Sequence, residues 1–240
     1  MLRYLINFLY PPHCAGCDHR LPLAEARRLC CGCIAKVERL PEPLCAVCGM
    51  PIAAASASGW CGRCAESPPH FSRARAIARY RAGSDEDTQM LPSLIRRHKY
   101  GRDQSLARAL AECLHPLPFV AGEHDLIMPI PLHHARLRWR GFNQAALLGT
   151  VIARRLDRPL DTHTLLRLRE TAPQTGQNMR ERRNNIRNAF AVRRPAAVAN
   201  RTILLIDDVI TTGATADECA RTLLAAGARR VEVLALARAV

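Results

Sequence analysis

Ile203 to Thr215 reads I-L-L-I-D-D-V-I-T-T-G-A-T. Four apolar β-formers run into two adjacent carboxylates, a short loop of hydroxyl residues and glycine follows, and an Ala-rich helical pattern opens at Ala214. An unbroken apolar run of this length suits a parallel strand buried on both faces. The loop behind it can offer backbone N–H groups, threonine hydroxyls and a helix N-terminus to an anion. Ionised aspartates are pure acceptors and suit sugar hydroxyls. One strand end thus supplies acceptors for a diol and donors for a phosphate, the two requirements of a ribose 5-phosphate group.

Two other readings compete with this one. An apolar strand ending in Asp-Asp is also found as the metal-holding strand of P-loop NTPases, which need a G-x-x-x-x-G-K-[ST] loop elsewhere. This chain has no Gly-Lys pair, and its only lysines are Lys36 and Lys99. An isolated Asp-Asp at the end of a buried strand can also be two solvated carboxylates, but T-T-G-A-T directly behind it argues against that. The stretch resembles the phosphoribosyl-pyrophosphate (PRPP) signature of type I phosphoribosyltransferases. That resemblance implies that Asp207 and Asp208 hold the ribose hydroxyls while Thr211, Thr212, Gly213, Ala214 and Thr215 wrap the 5-phosphate.

Nine of the eleven cysteines lie before residue 65. Cys14-x-x-Cys17 and Cys30-x-x-Cys33 are separated by twelve residues, as are Cys45-x-x-Cys48 and Cys61-x-x-Cys64, and the second set repeats the first 31 positions later. A C-x-x-C turn puts two thiolates on one side of a tight knuckle, and two knuckles close a tetrahedron around zinc. Redox C-x-x-C pairs do not come in fours. Two structural Zn²⁺ sites are therefore expected. Cys31 has no counterpart in the second module, where Gly62 stands, and reads as a bystander; Cys113 and Cys219 fall in helical patterns and read as small buried residues.

With 240 residues the chain can hold one α/β domain and a smaller one. We place a double zinc ribbon at 1–69, ending near Pro68-Pro69, and a mostly parallel, helix-flanked sheet at 70–240. No apolar run is long enough to cross a bilayer. Leu2 to Tyr10 is apolar but broken by Arg3 and Asn7 and lacks a small-residue cleavage site, so a cytoplasmic protein is expected. The net charge of +14 is nearly all arginine. Part of that skew can reflect base composition, yet fifteen arginines against four acidic residues between Arg136 and Arg201 predict a positive field suited to pyrophosphate or a nucleic-acid backbone.

Along the C-terminal region the pattern predicts strands at 71–80, 125–129, 189–192, 201–206 and 231–236, and helices at 90–100, 104–114, 142–156 and 214–226, with Gly101 as a helix cap. Strands alternating with helices imply a parallel sheet. A loop after 125–129 carries Arg136, Arg138, Arg140, Gly141 and Asn143-Gln144, and ligands sit at strand C-termini in such sheets. Its arginines can fork onto pyrophosphate oxygens; a solvated basic loop is the plainer reading. Arg169 to Asn188, too polar for a core and long for a connection, reads as a lid that would keep water from a reactive pyrophosphate.

Taken whole, the chain resembles the ComF family of bacterial competence-related proteins, which includes GntX-type proteins. The likeness runs through F-L-Y-P-P-H-C-A-G-C, the double zinc ribbon, His98-Lys99-Tyr100-Gly101, Pro129-Ile130-Pro131-Leu132, Arg140-Gly141-Phe142-Asn143-Gln144, Gln174, Glu181-Arg182, Asn185, Phe190 and the PRPP signature. Gln177-Asn178 stands where the family often has Leu-Ser. The resemblance implies a type I phosphoribosyltransferase fold, PRPP with Mg²⁺ as ligand, and a link to DNA uptake. Asp207, Asp208 and Arg140 become the candidate catalytic residues, with Lys99, Pro131 and Arg136 joining the phosphate loop in PRPP binding. Three functions follow: a phosphoribosyltransferase, a single-stranded DNA-binding uptake protein working with the uptake machinery, or a PRPP-sensing regulator. No motif names an acceptor base, and an aromatic content of 5% favours base stacking little.

Overall fold

The computed structural model describes residues 11–22, 27–53, 58–81, 89–101, 103–170 and 185–240. The elements are α1 (Cys31–Ala35), α2 (Gly62–Glu66), β1 (Arg73–Tyr80), α3 (Met90–Tyr100), α4 (Leu106–Glu112), β2 (Leu126–Pro129), α5 (His134–Arg140), α6 (Gln144–Leu156), β3 (Leu165–Arg167), β4 (Phe190–Val192), β5 (Thr202–Ile210), α7 (Ala214–Ala225) and β6 (Arg230–Ala239). A four-stranded sheet has the order β1-β6-β5-β2, with every neighbouring pair parallel. β3 and β4 form a separate antiparallel pair.

β5 explains the layering. Its residues alternate between faces. Leu204 and Ile206 pack with Leu148 and Ile152 of α6 and with Leu94 and Leu110 of α3 and α4. Ile203 and Leu205 pack with Cys219, Ala220 and Leu223 of α7. Both faces are covered, so the strand carries no polar alternation. Beyond α6 the chain returns outside β2, where Leu160 bridges Ile127 in parallel, whereas beyond α7 it returns on the other side of β5 as β6. Successive crossovers therefore leave β2 and β5 in opposite directions, and the crevice between their carboxyl ends is a topological switch point, where open α/β sheets bind ligands.

The zinc region is built into this body. Cys14, Leu21, Leu29, Cys33 and Val37 join the core with α3, α4 and α6, while Cys45, Val47, Cys48 and Cys64 join the core with α7. The two modules thus sit on opposite faces. The segment between them covers the β1 edge: Leu40 N–H donates to the Ile77 carbonyl at 3.4 Å and Arg79 N–H to the Glu38 carbonyl at 2.8 Å. That pairing removes an exposed strand edge.

Several boundaries differ from the sequence reading. β5 extends to Ile210, so Asp207 and Asp208 lie within the strand rather than after it. The Arg136–Arg140 loop is the helix α5: the His133 ring caps its start, and Gly141 at φ +85° closes it, donating to the Leu137 carbonyl. Its only large apolar residues, Leu137 and Trp139, are exposed and give its sequence no amphipathic period. Asn143 caps α6 through the Ala145 N–H, so that helix begins at Gln144. Cys113 and Cys219 are buried as expected. Of the expected lid, residues 171–184 lie outside the described residues, as do residues 8–10 of the opening motif. Its two ends meet, with the Arg169 guanidinium donating to the Asn185 carbonyl at 3.2 Å and the Arg187 carbonyl at 2.7 Å.

Candidate phosphoribosyl site and metal centres

The carboxyl ends of β2 and β5 frame two adjoining cavities. One, of about 200 Å³, is lined by Lys99, Tyr100, Pro131, Arg136, Arg140, Arg167, Asp207, Asp208 and Thr215 among others. The second, of about 250 Å³, is lined by Tyr80, Lys99, Asp207, Thr211, Gly213, Ala214 and Thr215. Asp207, Lys99 and Thr215 belong to both, so the residues singled out from sequence converge from α3, β2, α5, β5 and the start of α7. Thr212 faces the other way, onto a small cleft shared with Arg63. Arg167 and Tyr80 were not anticipated: Arg167 sits in a three-residue strand and looks in sequence like one more arginine of a basic stretch.

The loop is shaped for close approach. Gly213 has φ +82°, a left-handed conformation that a side chain resists, and it turns the chain directly into α7. The Thr212 hydroxyl accepts from the Ala214 N–H at 3.3 Å. The head of this twelve-residue helix, whose first residues Ala214 and Thr215 line the second cavity, carries the dipole end and amide donors that suit an anion.

Charge is concentrated at the strand end. Lys99 Nζ lies 3.0 Å from Asp208 Oδ1. Asp207 has no such partner among the described residues: burial, and then the Asp208 carboxylate beside it, raise its pKa to about 7. Two neighbouring carboxylates that resist ionising together suit a ligand that brings cationic charge or hydroxyl donors. The Lys99 position follows from His98, whose ring is buried against Phe142 at 5.1 Å and bonds the Asp103 carbonyl at 2.8 Å. Burial lowers the His98 pKa, so the ring is a neutral packing element rather than a ligand.

The same cavity is lined by Arg140, which is buried, and by Arg167, which is half-buried. Arg140 is 7% exposed, donates to Gln144 Oε1 at 2.8 Å and lies 5.6 Å from the Tyr100 ring. Arg140 Nε and Gln144 Nε2 have no hydrogen-bond partner among the described residues. Burial lowers the pKa of Arg140 and of Arg167. A buried guanidinium donor left unpaired beside a cavity, as Arg140 Nε is, costs free energy unless an acceptor meets it, and an oxyanion would.

Each cysteine quartet brings its four sulfurs within 4.8 Å of one another. Cys17 and Cys30 Sγ are 3.7 Å apart, and Cys48 and Cys61 Sγ 3.6 Å. A Zn–S bond of about 2.3 Å sets a tetrahedral S–S edge of about 3.8 Å, so both quartets fit zinc. Amides support the thiolates, with Cys30 N–H on Cys14 Sγ and Cys61 N–H on Cys45 Sγ, each at 3.2 Å. Burial opposes ionisation of Cys14 and Cys45, but backbone donors outweigh it and bring each to about 6. Cys31 lies outside the quartet and takes a bond from Arg27 at 3.2 Å.

A parallel sheet with a crevice at its switch point, an acidic strand end and a glycine-turned loop leading into a helix has the make-up of a phosphoribosyltransferase-type domain, here joined to two Cys₄ quartets that fit zinc. A double zinc ribbon domain matches residues 5–65 and a phosphoribosyl transferase domain residues 143–239. The chain is 36% identical to the DNA utilization protein YhgH of Salmonella typhimurium over 225 residues, 91% of this chain and 94% of that one. It is 32% identical to competence protein F of Haemophilus influenzae, covering 98% of this chain and all of that one. Competence protein ComFC of Bacillus subtilis is 29% identical over 85% of this chain and 81% of its own length. The chain belongs to this competence protein F (ComF) family. Among the described residues no helix is long and apolar enough to cross a membrane.

Proposed function

We propose that the protein binds PRPP or a related phosphoribosyl ligand with Mg²⁺ at the β2–β5 crevice, in a role tied to DNA uptake or utilisation. The observation that carries this reading is the convergence of the acidic pair, the phosphate loop and the orphaned Arg140 donor on adjoining cavities. Asp207 and Asp208 accept from the ribose hydroxyls. Thr211, Gly213, Ala214 and Thr215 seat the 5-phosphate, while Thr212, expected among them, turns to the Arg63 cleft. Arg140, with Arg136 and Lys99 near it, faces the pyrophosphate, and Pro131 shapes the adjoining wall. Mg²⁺ would screen the pyrophosphate and polarise it as a leaving group. The chain's own contribution to transfer is electrostatic: fixed guanidinium donors stabilise charge that grows on the departing oxygens.

The DNA link rests on the names of the relatives, which speak of competence and DNA utilization. It also supports a second reading, in which the same site serves a single-stranded DNA-binding uptake protein or a PRPP-sensing regulator without turnover. Calorimetric titration of Mg-PRPP into wild type and the Asp207→Asn/Asp208→Asn double variant tests the site. Binding is expected in the first and not in the second, and equal binding would refute the assignment. Pyrophosphate release with pooled bases and short DNA strands separates an enzyme from a binder.

A further inference from the structure

The second zinc module is fastened to the sheet through consecutive backbone carbonyls. Those of Cys45 and Ala46 accept from Arg75 at 3.4 and 3.1 Å, that of Val47 from the Ala74 N–H at 2.7 Å, and that of Cys48 from the buried Arg238 at 2.8 Å. Gly49, at φ +68°, fits only because it has no side chain: a Cβ there would meet the Ala74 carbonyl oxygen at 2.6 Å. The module's helix α2 then reaches the loop that follows β5. Arg63, one residue before the ligand Cys64, donates through Nη1 to the Thr212 carbonyl at 2.8 Å. Thr212 belongs to the loop read above as the 5-phosphate seat.

A trans peptide is planar, with its C=O and N–H pointing in opposite directions. Fixing the Thr212 carbonyl toward Arg63 therefore turns the Gly213 N–H away from the ribbon. Gly213 lines both the Arg63 cleft and the larger cavity behind it. A five-residue helix does not hold its shape alone; α2 keeps its place because Cys61 and Cys64 are gathered with Cys45 and Cys48. Metal at that quartet supplies the ordering energy. A chain of fixed groups thus runs from the second metal through α2 and Arg63 to the phosphate loop. The first module shares its core with α3, α4 and α6 on the other face of the sheet.

We infer that Arg63 is a positioning residue, through which the second zinc module orients the Thr211–Thr215 amides for a phosphate monoester. This deepens the phosphoribosyl reading and rests on it for the ligand, though not for the coupling itself. The test uses the full zinc-loaded chain, with Arg63→Ala and Arg63→Lys. Ribose 5-phosphate and inorganic pyrophosphate are titrated separately, zinc content is measured, and hydrogen exchange is followed at residues 211–215. Arg63→Ala should weaken ribose 5-phosphate about tenfold, the scale of one charge-assisted hydrogen bond. It should leave pyrophosphate affinity and both zincs unchanged and speed exchange in the loop. Arg63→Lys should recover part of both effects. Unchanged ribose 5-phosphate affinity with unchanged loop exchange overturns the inference. So does loss of the second zinc in Arg63→Ala, because Arg63 would then hold the knuckle and not the loop. If wild type binds neither ligand, the phosphoribosyl reading fails, and the exchange rates still decide whether Arg63 orders the loop.

Discussion

Asp207 should make the free protein less stable at neutral and alkaline pH, and replacing it should reveal by how much. Its pKa is raised from 3.8 to about 7, by burial first and by Asp208 second. Between those values the folded chain holds a proton that the unfolded chain has released, so stability falls as pH rises through the interval and the full penalty is present above about 7. The interval corresponds to a ceiling of about 4 kcal/mol. Half of that, about 2 kcal/mol, would move the unfolding temperature of a chain this size by roughly 4–8 °C. Asp207→Asn should therefore melt several degrees above wild type at pH 8 and level with it near pH 4. Thermal unfolding by circular dichroism across that range reads the difference, and zinc-linked titrations common to both proteins cancel in it. Mg-PRPP should reverse the order, because a ligand at one hundred times its Kd adds about 2.7 kcal/mol to whichever protein binds it. Asp208→Asn removes the second cause of the shift and should move the wild-type pH transition downward. A constant offset between wild type and Asp207→Asn at all pH values, or a variant less stable at pH 8, would refute the reasoning.

Metal analysis should find two zincs per chain, and Cys48→Ser should release the second and unfold its module; cysteines oxidised in pairs would reject both sites. Arg140→Ala should weaken pyrophosphate or PRPP by ten- to a hundredfold, the scale of a buried charged donor, and ribose 5-phosphate much less; equal losses would move Arg140 away from the pyrophosphate side. Single-stranded DNA held along the arginines between 136 and 201 should show log K falling with log salt at about 0.7 per neutralised phosphate, and partial competition by Mg-PRPP. Electrophoretic shifts at two salt concentrations check this, and no shift even at low salt would remove direct DNA binding.

What could be read in the sequence was what is local. The run from Ile203 to Thr215 contains a strand, a turn and a helix start within thirteen residues, and each is dictated by its own residues: apolar bulk on both faces, a glycine at φ +82°, small residues at the helix head. The cysteine spacing is local in the same sense, because a knuckle needs only four residues to aim two sulfurs. α5 is not legible in this way, because a helix shows in sequence through the face it buries, and this one buries Arg140 rather than a leucine. A buried arginine has the same letter as a solvated one, so among fifteen in that region the sequence could not single out Arg167. Nor could it place the zinc modules on opposite faces of the sheet, since Val47 meets Ala74 and Cys48 meets Arg238 across separations that no spacing rule spans. Those contacts alter what the zinc modules do. A ribbon read as a separate unit would bind metal for its own stability. Fastened to β1 and β6 and reaching the Thr212 carbonyl through Arg63, the second module braces the loop that leads into α7, and on the reading proposed above it sets how that loop meets a phosphate.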